Sequence, residues 1–116
     1  MNLINSYPRI KQILYAIFKE FGGDYGKLSN TTPIYMSDKI NLVIFGILIY
    51  VLRTEFSLTY RELEKLTNRS TDTLSRHNNE PSAIIKLYDV PDTLVTQIHD
   101  YIVRRILDYV ESENDV

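Results

Sequence analysis

The run Leu42-Val-Ile-Phe-Gly-Ile-Leu-Ile-Tyr-Val-Leu52 is apolar for eleven consecutive residues, and it limits the possible folds more than any other stretch. A helix that crosses a bilayer needs about 20 such residues, so this one is too short and must be hidden inside protein. A helix apolar on every side is hidden only when other elements surround it. Ser37 is the expected N-cap with Asp38 in the first turn, and the helix is expected from about Asp38 to Thr54. Gly46 at its middle would let a neighbour approach closely. A pair of buried β-strands is the competing reading, because β-branched residues are frequent in the run.

The other segments read as helices that surround this one. Residues 6–21 carry Ile10, Ile13, Leu14, Ile17, Phe18 and Phe21 at spacings of three and four, with Ser6 and Pro8 at the start and Gly22-Gly23 at the end. Residues 22–36 read as a loop that Tyr25, Ile34 and Tyr35 pin to the core. Residues 82–88 form a short apolar patch. The last helix is expected over about 91–112, where Leu94, Ile98, Ile102, Ile106 and Val110 recur at fours, flanked by Val95, Tyr101, Val103 and Tyr109. That stripe is wide, which suggests a homodimer through residues 92–110. The expected architecture is one all-α domain over residues 1–116, a compact bundle of about five helices.

Composition closes off several classes. At 116 residues and 44% hydrophobic content, the chain suits one domain with a proper core. It has no cysteine, hence no disulfide framework, thiolate metal site or cysteine nucleophile. No basic stretch followed by an apolar run and cleavage site opens it, so no secretory leader is expected and a cytoplasmic location without membrane contact is. No phosphate loop, nucleophile motif or carboxylate pair is present, so no enzymatic activity, metal or cofactor is expected. His77 reads as an exposed residue at a helix end and His99 with Asp100 as a surface pair. The net charge of −2 conceals an asymmetry. Residues 1–79 hold ten Lys/Arg against seven Asp/Glu, and residues 80–116 hold three against eight.

Residues 57–79 concentrate short polar side chains between sparse leucines. Thr59 is a candidate N-cap, and Glu62, three residues on, completes a capping box. Asn68 stands where the chain must turn, a position that tolerates a left-handed backbone. Ser70 or Thr71 caps the next helix, and Pro81 bars its continuation. Leu63, Leu66 and Leu74 face inward, with Tyr60 beside the first two. Arg69, Thr71, Asp72, Thr73, Ser75, Arg76 and Asn79 form the outer face. Hydroxyls suit phosphates, while Arg and Asn suit the edges of guanine and adenine.

The stretch from Leu58 to Arg76 resembles the helix-turn-helix of transcriptional regulators and transposase N-terminal domains. It is also similar to the C-terminal DNA-binding domain of bacterial replication initiators, in the Trp-repressor-like group. There a long apolar helix precedes Ser-Leu-x-Glu-Ile and then Gly-Arg-Asp-His-Thr-Thr-Val. Here Thr59-Tyr-Arg-Glu62-Leu63 takes the place of the first segment and Asn68-Arg69-Ser70-Thr71-Asp72-Thr73-Leu74 of the second. Ser70 and Thr71 replace the family's Asp and His, and Glu64 replaces its usual small residue. The resemblance implies that Arg69 reaches a base and that Thr71 and Thr73 touch backbone or a thymine methyl.

The expected function is therefore sequence-specific double-stranded DNA binding through a helix-turn-helix at about 58–79, as a small regulator or a replication or transposition protein. The expected contacts are Arg69, Thr71, Thr73, Ser75, Arg76 and Asn79, with Arg61 and Lys65 on flanking phosphates. The alternative is a helical protein-interaction module or inhibitor, of the kind mobile elements or viruses carry, that never touches nucleic acid.

Overall fold

The computed structural model describes residues 9–28 and 38–114. Ser6, Pro8, Ile34, Tyr35 and Ser37 lie outside the described residues. Six α-helices and one 3-10 turn are present among them: α1 (Ile10–Glu20), the turn Tyr25–Lys27, α2 (Lys39–Thr54), α3 (Tyr60–Thr67), α4 (Thr71–His77), α5 (Pro81–Tyr88) and α6 (Asp92–Asn114). No strand occurs among the described residues, so the paired-strand reading of 42–52 is set aside. Nor is any of their helices long and apolar enough to cross a membrane.

α2 is the axis of the fold. Every residue from Val43 to Ile49 is buried, as are Val51 and Leu52. The helices α4, α5 and α6 pack on it, which is how a short helix apolar all round is hidden from water. Its one buried polar side chain, Asn41, is satisfied: Oδ1 accepts the Asp24 N–H at 2.7 Å. This bond ties the start of α2 to the segment after α1. Gly46 is where the close approach happens. A Cβ there would lie 3.1 Å from Ile84 Cδ1 and 3.2 Å from the His77 carbonyl oxygen.

α1 buries Ile10, Leu14, Ile17 and Phe18, the inner part of the expected stripe. It runs antipodal in sequence to α6 but touches it along its length. Arg9 pairs with Glu113, its N–H donates to the Tyr109 hydroxyl at 3.0 Å, and Phe21 meets Tyr101 edge to face at 5.3 Å.

One reading is corrected. Residues 82–88 are not merely an apolar patch but most of a helix, α5, which begins with Pro81 at its first position and ends at Asp89 with a left-handed backbone (φ 51°). Proline at that position lacks only an N–H that would have no intrahelical partner. The chain itself covers the inner part of the α6 stripe, while Leu94, Tyr101 and Val103 are half-buried. Val95, Ile98, Ile102, Ile106, Tyr109 and Val110 are all buried against α1, α2 and α5. A second copy is not needed to cover them.

Candidate nucleic-acid interface

The pair α3–α4 is built by local hydrogen bonds. Thr59 Oγ1 accepts the Glu62 N–H at 3.2 Å and the Glu62 carboxylate accepts the Thr59 N–H at 3.1 Å, the reciprocal capping box. Asn68 ends α3 in the left-handed region, with φ 57° and ψ 33°. Ser70 Oγ then caps α4 by accepting the Thr73 N–H at 3.2 Å. Leu63, Leu66 and Leu74 are buried as expected, and α3 and α4 pack on each other across the three-residue turn 68–70.

Two braces hold this pair on the fold. The Arg53 guanidinium lies 4.3 Å over the Tyr60 ring, and its Nη1 donates to the Leu58 carbonyl at 3.0 Å. Asn78 Nδ2 donates to the Tyr60 hydroxyl at 3.0 Å, so the end of α2, the start of α3 and the end of α4 are linked in one chain. On the other side the Tyr25 hydroxyl donates to the Leu66 carbonyl at 3.3 Å. Burial pushes the Tyr25 phenol well above its usual range, so it stays a neutral donor.

The expected contact residues divide by exposure. Thr71, Ser75 and Arg76 are exposed on α4 together with Asp72. Thr73 and Asn79 are half-buried, and the Thr73 hydroxyl accepts from Ser70 Oγ at 3.1 Å. Arg61 and Lys65 are exposed on α3, four residues apart and so on one face. Among the described residues neither is in an ion pair.

Several of these groups already have partners. Glu64 reaches across the turn to accept from both the Thr71 N–H, at 3.0 Å, and the Thr71 hydroxyl. The longer side chain in place of a small residue thus clips α3 to α4 instead of crowding them. Arg76 pairs with Asp72 one turn earlier on α4. Arg69 is half-buried and its Nε donates to the Leu28 carbonyl. Burial lowers the Arg69 pKa, partly offset by the neighbouring Tyr25. Its guanidinium is thus directed toward the 3-10 turn, away from the exposed row of α4.

His77 is half-buried rather than exposed, because its ring packs edge to face on Phe45 at 5.8 Å. Burial lowers its pKa from 6.5, and Arg69 and Arg76 lower it further. The folded protein therefore holds this proton less tightly than the unfolded chain does. The contribution is fully present above about pH 6.5 and is lost as pH falls below it toward the lower folded value. His77→Phe keeps an aromatic ring on Phe45 and removes the titration. Its melting temperature should drop less than that of the unmodified protein between about pH 7.5 and about pH 5.5. Equal drops would show that His77 does not feel its surroundings in this way.

The sequence alone singles out neither Lys11 nor Tyr15. The structure brings both to a cleft of about 260 Å³ beside the turn of the α3–α4 pair, lined also by Tyr25, Lys65, Thr67 and Asn68. The signal was present in the spacing: Lys11, Tyr15 and Lys19 recur at fours on the polar side of α1. A different cleft, of about 400 Å³, borders α6 and collects Glu55, Asp100, Asp108 and Glu111 around Leu107. There His99 Nδ1 lies 3.1 Å from Asp100 Oδ1, the expected surface pair. Among the described residues no three His, Asp or Glu side chains are grouped to hold a metal ion. In comparisons with known proteins, no protein-family model, curated protein or solved structure matches this chain.

Proposed function

We propose that this protein binds double-stranded DNA through α3 and α4, with α4 as the helix presented to the groove. The observation that carries the reading is the division of α4 into one buried anchor, Leu74, and an exposed face of Thr71, Asp72, Ser75 and Arg76. A seven-residue helix with so little apolar surface is a poor core element. Held at its base by Leu74 and braced through Asn78, it is a rigid mount for short polar groups, which groove recognition requires. Arg61 and Lys65 on the neighbouring face suit flanking phosphates. Ser75 and Arg76 are the contacts favoured most, and Arg69 serves the fold more than the duplex.

The pairing of Arg76 with Asp72 gives the reading a specific consequence. Before Arg76 can meet DNA, it must leave a carboxylate that itself repels phosphate. Asp72→Asn should therefore tighten binding to random duplex at low salt, on the order of tenfold, and Arg76→Ala should weaken it by a similar factor. Fluorescence anisotropy across a salt series reads both. Absence of salt-dependent retention of duplex by the unmodified protein at low salt would remove the proposal.

A second reading, the protein-interaction module, is favoured by the exposed apolar side chains Leu87 and Leu107, 62% and 42% accessible on α5 and α6. It predicts that none of the three proteins in the salt series retains duplex.

A further inference from the structure

We infer that the cleft between α1 and the C-terminal end of α3 seats a phosphodiester of the duplex backbone, with Lys11 and Lys65 as its cations. This extends the footprint from α4 across the turn onto α1, and it rests on the DNA-binding reading above.

The lining has the chemistry of a phosphate contact. It combines two lysines with Tyr15, Thr67 and Asn68, and no carboxylate lines it. Phosphate oxygens are met by these side-chain types, with cations supplying most of the energy and neutral donors fixing the geometry. The clefts of this protein differ sharply in this respect. The one along α6 gathers four carboxylates against Arg104 and His99, an acidic balance that disfavours the same ligand.

The state of the lysines is a second observation. Arg9, Lys27 and Arg76 each sit within ion-pair distance of a carboxylate. Lys11 and Lys65 are exposed and, like Lys19, Arg61 and Lys86, have no such partner among the described residues; they alone of these line the cleft. They come from helices far apart in sequence, so the fold and not a local charge run brings them together. An anion placed between them gains two cations and displaces no internal ion pair.

The floor of the cleft is preorganised. Tyr15 stands edge to face on Tyr25, with centroids 5.1 Å apart and planes at 84°. The Tyr25 hydroxyl is engaged by the Leu66 carbonyl, so it does not compete for the ligand. Continuity with α4 is supplied by Asn68, which both lines the cleft and forms the left-handed turn before Ser70. One backbone strand crossing the turn would thus meet the cleft and the exposed face of α4 in succession.

The test compares the unmodified protein with Lys11→Gln, Lys65→Gln, the double variant, Lys86→Gln and Arg76→Ala, on one random-sequence duplex across a salt series. Lys86 is exposed on α5, outside the cleft, and controls for net charge. Lys11→Gln and Lys65→Gln should each lower the slope of log affinity against log salt by about 0.9, and lower affinity roughly five- to tenfold near 0.1 M salt. The double variant should lose both, and Lys86→Gln should match the unmodified protein. If the lysine variants keep its slope while Arg76→Ala weakens binding, the cleft is not a contact and the α4 reading stands. Equal losses from Lys86→Gln and Lys11→Gln would mean a mere charge effect and overturn the cleft. Failure of the unmodified protein to bind at low salt overturns both.

Discussion

Leu74→Ala should lower the unfolding free energy by about 2–5 kcal/mol and, on the DNA-binding reading proposed above, abolish duplex binding with it. Leu74 is the one fully buried side chain of α4. A helix of seven residues does not form alone in water, because nucleation costs more than two turns return. Its order therefore comes from Leu74, from the Ser70 cap and from the Asn78–Tyr60 bond. Removing the leucine leaves a cavity under the helix, held then only by polar ties and the His77–Phe45 ring contact. Urea unfolding of the variant measures the loss, and amide exchange over residues 71–77 shows whether α4 opens first. Ser75→Ala, on the exposed face, should stay within about 0.5 kcal/mol of the parent. A loss from Leu74→Ala below about 1 kcal/mol would contradict the anchoring of α4 described above.

Gly46→Leu should cost about 3 kcal/mol, the upper part of the range for overfilling a packed core. Gly46 lies under two neighbours at once, Ile84 of α5 and the last carbonyl of α4. The Ile84 methyl can rotate away from a new side chain, whereas the His77 carbonyl is backbone and moves only with its helix. Gly46→Ala is the informative comparison. Replacing a mid-helix glycine by alanine favours the helix by about 1 kcal/mol, and the two tight contacts oppose that gain, so the net change should be small. A Gly46→Leu protein as stable as Gly46→Ala would show that α4 and α5 do not press on α2 at this point. Thermal unfolding of the pair settles it.

How much of this was legible in advance depends on the range of the interaction. The capping box of Thr59 and Glu62, the left-handed Asn68 and the Ser70 cap were all expected and all found, because each is a bond between residues a few positions apart. The burial of Leu63, Leu66 and Leu74 followed from their isolation among polar neighbours. The all-α class and the central place of α2 followed from an apolar run too long to leave any face wet. α5 was the local signal missed: proline at a first helical position was there to be read.

What escaped reading were contacts between distant residues. Nothing in the spacing of Arg53, Tyr60 and Asn78 announces that they form one brace. Arg69 lies 41 positions from the carbonyl that draws it inward, toward the 3-10 turn. Glu64 looks like an obstacle to helix packing until the structure shows it bonded to Thr71. Lys11 and Lys65 acquire a common cleft only when α1 is laid beside the end of α3.

From its residue order alone, this chain specified its helices, their caps and which faces turn inward, since those depend on periodicity and on bonds spanning one turn. Tertiary packing decided which polar groups of the α3–α4 pair remain open to a partner, that the inner stripe of α6 is covered by its own fold, and that two lysines line one cleft beside the turn. Those outcomes depend on where helices cross, and crossings are set by the fit between residues far apart in the chain, such as Gly46 and Ile84.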